Sequence, residues 1–256
     1  MKYFETHAHY NEEVFKENQN EIFKKIKEAG VNYIINVGYN KKSSKESIDL
    51  ASKYENFYAA IGVHPHDVEN ETAEDIYRLY KSEKTSKIVA IGEIGLDYAF
   101  TKDNKEKQAK LFIKQIDIAN EFKLPIIVHS REASLDTYQI LKNNKPQYGV
   151  LLHCFKPSEE LVKLVIENGY MVAFGGNITY KRSKSFSKYI KMIPIEQIVI
   201  ETDSPYLPPI PFRGTINDSS NLPLICKRLA EYKEMDENFI SNAIYENAIK
   251  FFKIKK

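Results

Sequence analysis

Eight short apolar runs alternate with amphipathic stretches from one end of the chain to the other, and this rhythm restricts the fold more than any other feature. The runs cover residues 3–7, 33–37, 58–63, 88–93, 126–129, 149–153, 171–174 and 198–201. They are rich in Val, Ile, Tyr and Phe and mostly continuous, the pattern of parallel strands buried on both faces. Residues 21–29, 45–53, 106–122, 135–142 and 160–167 predict helices. Gly30 and Gly169 stand where helix C-termini are expected, and Thr72-Ala-Glu-Asp75 reads as a capping box. The tail after Asn221 predicts helix, with Pro223 in a first turn and Asp236 as a second N-cap.

The strand-end markers His7, Val37, His64, Glu93, His129, His153, Gly175 and Asp203 recur at intervals of 22 to 36 residues. Eight such strand-helix units predict an α/β chain of the (β/α)8 TIM-barrel class. A doubly wound sheet is the rival. It would usually bring a glycine-rich phosphate loop after its first strand, where this chain has Thr6-His7-Ala8-His9. No Pro/Ser-rich linker or break in composition divides residues 1–256, so a single domain is expected.

An apolar fraction of 43% supplies a sizeable core, and no apolar run approaches the roughly 18–20 residues that span a bilayer. Met1-Lys2 leads straight into the first strand without the pattern of a secretory signal, and Cys154 and Cys226 are too few for a disulfide framework. A cytoplasmic location and no membrane partner are the expectation. With 37 basic and 35 acidic side chains the net charge is +2, so global electrostatics gives no argument for nucleic-acid binding. The stretch Lys181-Arg182-Ser183-Lys184, followed by Lys188 and Lys191, reads either as a contact for phosphates or, more simply, as a solvated helix face. Nothing in the sequence fixes an oligomeric state.

All six histidines, His7, His9, His64, His66, His129 and His153, fall at or just past a predicted strand end and none in a predicted helix. Active sites of the barrel class sit at that face. His7 and His9 are spaced i, i+2 on extended chain, which turns both imidazoles to one side, toward a borderline divalent metal. His129 and His153 each close a strongly apolar strand, where a core histidine would need a buried partner. Glu93 and Asp203 do the same with carboxylates, which are costly there unless paired or metal-bound. A structural salt bridge is the plain alternative for either acid taken alone. Four imidazoles and two carboxylates exceed what one tetrahedral ion uses, so two ions sharing a carboxylate fit, with Glu93 as the bridge. His64, Arg131 and Arg213 stand beside these segments as candidates for substrate phosphate, or as structural groups and loop salt bridges. Cys154 reads as a packing residue.

The stretches Glu5-Thr-His-Ala-His9, Gly62-Val-His-Pro-His66, Gly92-Glu-Ile-Gly-Leu-Asp-Tyr98, His129-Ser-Arg-Glu-Ala133, His153-Cys-Phe155 and Glu201-Thr-Asp-Ser-Pro-Tyr-Leu207 resemble, in order, the motifs of the TatD family of metal-dependent deoxyribonucleases, and Arg213-Gly214 and Asn217 complete the series. The resemblance implies one metal held by His7, His9, Glu93 and Asp203 and a second by Glu93, His129 and His153. Asp203 would also be the base for the attacking water. The ions would be zinc, manganese, nickel or magnesium. The implied substrate is DNA, cleaved at its phosphodiester bonds; the same site could serve a carboxylic ester or amide, including the ester of a misacylated tRNA. Three places depart from the family pattern: Glu5 where Asp is usual, Pro157 where Gly is usual, and Ser219 or Ser220, near which a Pro is usual.

Overall fold

Strand and helix alternate as the apolar rhythm predicts. The computed structural model describes residues 1–83, 85–101 and 103–255. In chain order the elements are β1 (Tyr3–Ala8), α1 (Gln19–Glu28), β2 (Val31–Val37), α2 (Lys41–Lys53), β3 (Phe57–Ile61), α3 (Ala73–Ser82), β4 (Ile88–Asp97) and α4 (Lys105–Phe122). There follow β5 (Ile126–Arg131), α5 (Ser134–Asn144), β6 (Val150–Leu152), α6 (Glu159–Asn168), β7 (Met171–Phe174), α7 (Ser187–Met192), β8 (Ile198–Ile200), α8 (Leu222–Lys233) and α9 (Glu237–Phe252). The chain divides into two compact units, Met1–Asn36 with Cys154–Lys256, and Val37–His153. Among the described residues no helix is long and apolar enough to cross a membrane.

In the first unit β1 pairs in parallel with β2, Tyr3 opposite Val31 and Ala8 opposite Asn36, and β7 pairs in parallel with β8. The chain leaving β8 joins the end of β1: the Asp203 amide donates to the His7 carbonyl at 2.9 Å and the His9 amide to the Ser204 carbonyl at 2.8 Å. The apolar face of α9 covers these strands, with the Phe252 ring stacked on Phe4 at 5.9 Å and Tyr33 5.6 Å from Phe4 on another side. Burying an aromatic or branched side chain of this kind stabilises by about 1.5–3 kcal/mol. Ser158 caps α6 by accepting from the Leu161 amide, Asp236 caps α9 by accepting from the Phe239 amide, and Gly169 ends α6 in the left-handed conformation at φ 66°.

In the second unit β3, β4, β5 and β6 pair in parallel in that order. Every residue of β4 is buried, as strands covered on both faces must be. The inner face of α4 carries Leu111, Phe112, Ile116 and Ala119 at helical spacing. Two glutamines on that helix, Gln108 and Gln115, are fully buried and hydrogen-bond the main chain where strands end. Gln115 accepts from the Val63 amide at 2.8 Å and donates to its carbonyl at 2.9 Å; Gln108 accepts from the Asp97 amide at 2.9 Å. Thr72 and Asp75 form the capping box expected at the start of α3.

The sequence places strand ends at Glu93 and His129, but β4 runs on to Asp97 and β5 to Arg131. Gly95, Leu96 and Asp97 pair with His129, Ser130 and Arg131, so the ladder continues past the two site residues. Gly95 makes this approach possible: at φ 139° any Cβ there would lie 2.0 Å from the His129 carbonyl oxygen. His66, expected outside any helix, sits in a short 3-10 turn over Pro65–Asp67. The basic stretch forms a 3-10 segment, Lys181–Phe186, that leads into α7.

Candidate functional site

Three of the predicted ligands meet in the first unit. Alternation along β1 turns His7 and the following His9 to one side, with their Nε2 atoms 3.2 Å apart. Asp203 Oδ1 lies 3.7 Å from His7 Nε2 and 3.5 Å from His9 Nε2. Asp203 is in the left-handed region at φ 57°, a conformation that Asp tolerates better than most residues. Its side chain keeps 14% exposure, against 0% and 4% for the two histidines, so it is the member open to water.

Behind these three, Glu5 is fully buried and ties the two strand ends together. Its Oε1 accepts from the His7 amide at 3.1 Å and the Thr202 amide at 2.9 Å, and its Oε2 from the Thr202 hydroxyl at 2.6 Å and the Ser219 hydroxyl at 2.7 Å. Burial pushes the Glu5 carboxyl up to about 8, against the lowering effect of these bonds. Asn217 donates to the Thr202 and Tyr206 carbonyls at 2.9 and 2.8 Å and fixes the turn around Asp203. Two departures from the family pattern, Glu5 and Ser219, therefore touch each other.

The other predicted ligands meet in the second unit. Glu93 Oε1 lies 2.7 Å from His129 Nδ1 and 2.7 Å from His153 Nε2, and those two nitrogens are 3.1 Å apart. His64 joins them with its Nε2 3.6 Å from Glu93 Oε1. Burial lowers the His64 pKa well below its ordinary value, which keeps the ring neutral. The opposite edge of His129 presents Nε2 to Asp97 Oδ2 at 3.1 Å, and His66 Nε2 reaches the same oxygen at 3.0 Å. Burial would raise the Asp97 carboxyl, but His129, the Phe100 amide and His66 outweigh it and hold it well below the usual carboxylate range. Burial opposes charge on His129 as well, yet its bonds to Asp97 and Glu93 leave its pKa raised.

The donor geometry fits divalent cations. Ligand nitrogens bound tetrahedrally at 2.0–2.1 Å stand about 3.3 Å apart, close to the 3.2 Å of His7 and His9 and the 3.1 Å of His129 and His153. One atom each from His64, Glu93 and His129 falls within a 4.8 Å group. Asp97 on the far nitrogen of His129 fixes the tautomer and direction of that ring, as a carboxylate does for a histidine that binds metal through its other nitrogen.

Of the two predicted substrate arginines, Arg131 reaches the oxygen of Asp97 that also meets His129 and His66, and Arg213 lies on an aromatic ring. Arg131 ends β5 with Nη1 3.8 Å from Asp97 Oδ2 and its side chain 53% exposed. Arg213 lies over the Tyr180 ring, 4.7 Å from its centroid. Asp97, Gln108, Gln115 and the buried role of Glu5 are absent from the sequence-based list of site residues. For Asp97 and Glu5 a signal existed, since each is an acid within a strongly apolar or motif-bearing strand; the glutamines gave none.

A model of the TatD related DNases matches residues 4–253. This chain belongs to the TatD family. Among its TatD relatives, the uncharacterized metal-dependent hydrolase YabD of Bacillus subtilis (strain 168) is 37% identical over 252 residues, covering 98% of this chain and 99% of that protein. The uncharacterized metal-dependent hydrolase MJ1582 of Methanocaldococcus jannaschii is 31% identical over 255 residues, covering 99% and 98%. The crystal structure of the TatD homologue YjjV from Escherichia coli K12 superposes with a TM-score of 0.92 at 27% identity, covering 99% of this chain and 98% of that one. The fold is thus the (β/α)8 TIM barrel, and the chain is a metal-dependent hydrolase of the TatD family.

Proposed function

We propose that this chain is a deoxyribonuclease that cleaves phosphodiester bonds in DNA with two divalent ions, zinc, manganese, nickel or magnesium. His7, His9 and Asp203 hold one ion, His129 and His153 the other, and Glu93 serves both. The observation that carries the reading is the pair of ligand clusters, each with nitrogens at metal-ligand spacing, in a chain matched by the TatD related DNase model. When bound, the ions lower the pKa of a water and polarise the phosphoryl oxygen. Asp203, more open to solvent than His7 and His9, accepts the water's proton. His64, kept neutral by burial, donates a hydrogen bond to a phosphate oxygen, and Arg131 and Arg213 supply charge. Asp97 positions His129, and Glu5 positions His7 through its amide.

The test is hydrolysis of single-stranded DNA, duplex DNA and RNA with a panel of divalent metals. His7→Ala and Asp203→Asn should abolish turnover, and full metal-dependent activity in either variant would overturn the assignment. The modest net charge of +2 gives some support to a second reading, hydrolysis of the ester of a misacylated tRNA, so D-aminoacyl-tRNA belongs in the same panel. Turnover of that ester without cleavage of any phosphodiester would replace the first reading by the second.

A further inference from the structure

A basic groove of about 460 Å3 lies in the first unit between the 179–184 segment and α8. Lys181, Lys184, Lys227 and Arg228 line it, with Tyr180 and Tyr232, and its one acid, Glu231, is already paired with Arg228 at 2.6 Å. Lys181, Lys184 and Lys227 are exposed and have no side-chain hydrogen bond or ion pair among the described residues. Most surface lysines of the chain that contact anything pair with an acid, as Lys45, Lys107 and Lys191 do. Three unneutralised ammonium groups beside one cavity form a site for a polyanion.

The groove is continuous with the loop that follows Asp203. Ile210 of that loop lines the groove, its amide donates to the Thr179 hydroxyl at 2.9 Å, and Tyr180 donates to the Pro208 carbonyl at 2.9 Å. Gly176 lets the loop lie close, since a Cβ there would stand 2.1 Å from the Leu207 carbonyl oxygen. The loop holds out Tyr206 and Phe212, 51% and 45% exposed, and Arg213, which follows Phe212, lies over the ring of Tyr180 that lines the groove. Tyr206 in turn adjoins the ligand His9, their ring centroids 6.1 Å apart. Aromatic faces next to a cationic groove are what a nucleic-acid strand requires: bases stack on the rings while phosphates follow the charge.

We propose that this groove is a second contact for the substrate strand, in which Lys181, Lys184 and Lys227 hold backbone phosphates beyond the bases stacked on Tyr206 and Phe212. The inference rests on the reading of the substrate as a nucleic acid, and it adds length-dependent binding that the ligand clusters alone would not give.

The test is binding of a fluorescein-labelled 16-nucleotide single strand with phosphorothioate linkages, which keep the charge and resist cleavage, to the protein as purified. The variant Lys181→Gln/Lys184→Gln/Lys227→Gln loses three phosphate contacts. Each contributes about 0.7 to the slope of log K against log salt for a single strand, so the slope should shrink by about 2 and the Kd rise about 100-fold near 0.1 M salt. Lys24→Gln/Lys27→Gln/Lys42→Gln, with the same change in net charge on α1 and α2, should bind within about threefold of the parent. An unchanged slope in the first variant, or an equal loss in both, overturns the inference. Wild-type hydrolysis of bis(4-nitrophenyl) phosphate is measured separately. Failure there, with the groove effect intact, counts against the nuclease reading and leaves the groove standing.

Discussion

The contact between Glu5 and Ser219 permits a quantitative test of how the ligand-bearing strand ends are held. Ser219 Oγ donates to Glu5 Oε2 at 2.7 Å and also meets the Tyr10 hydroxyl at 2.6 Å, all three groups being buried. Ser219→Ala takes one donor from the carboxylate and one partner from the buried phenol. At about 1–3 kcal/mol for each polar group so deprived, the cost is about 3 kcal/mol. Glu5→Asp withdraws the carboxyl by one carbon–carbon bond, about 1.5 Å, which takes it out of reach of the same hydroxyl and lengthens its bonds to Thr202 and the His7 amide, at a cost of about 3 kcal/mol or more. Because the Ser219–Glu5 bond is lost in both changes and can be lost only once, the double variant should lose about 4 kcal/mol rather than about 6, a coupling of about 2 kcal/mol. Thermal unfolding followed by circular dichroism in EDTA reads this directly. Each single variant should melt about 6–12 °C lower, and the double only slightly lower again. Additive losses, to within about 0.5 kcal/mol, would show that Ser219 and Glu5 act independently and would refute the reasoning.

Asp97→Asn should leave the fold intact but weaken metal binding about 10–100-fold, because His129 loses the carboxylate that orients it; an unchanged calorimetric affinity would count against that role. Adding a bound metal at about 100 times its Kd should stabilise by about 2.7 kcal/mol and raise the melting temperature by about 5–11 °C, with EDTA reversing it. No shift with zinc, manganese, nickel or magnesium would contradict metal binding by these residues. Burial, helped by the charge of Glu237, pushes the Cys226 thiol up to about 12, so at pH 8 a thiol reagent should label Cys154 and spare Cys226 until the protein is unfolded. The same raised pKa means that folded-state stability is full below about pH 9, the unfolded thiol's range, and falls as pH rises toward 12. Labelling of both thiols at equal rates in the native protein would disprove the burial argument.

Four of the six ligand candidates, Glu93, His129, His153 and Asp203, were legible because each is a polar side chain closing an apolar strand, and His7 and His9 because of their spacing at a strand end. Their grouping was legible only in part. The i, i+2 spacing of His7 and His9 predicts a shared side, but nothing local to Asp203 reveals that its amide bonds the His7 carbonyl. The length of β4 was hidden because Glu93 reads as the end of its apolar run, whereas Gly92 and Gly95 allow β5 to approach closely and the ladder continues to Asp97. Gln108 and Gln115 were invisible for another reason. On a lysine-rich helix a glutamine looks like solvent-facing polarity, and only the packed structure shows both buried and bonded to strand ends. The basic stretch at 181–184 illustrates the converse case: Lys181, Arg182 and Lys184 are exposed as the simple reading expects, yet the two lysines line a cavity shared with α8.

The hydrogen bonds between the end of β1 and the chain leaving β8 also order events in time. His7 and His9 emerge from the ribosome roughly 200 residues before Asp203, whose amide and carboxylate complete their surroundings. At about 5–20 residues per second the amino-terminal pair waits about 10–40 s for its third member. A nascent chain therefore carries two adjacent imidazoles without their carboxylate for most of its synthesis. Any metal-dependent activity that needs Asp203 is deferred until that late segment joins the end of β1.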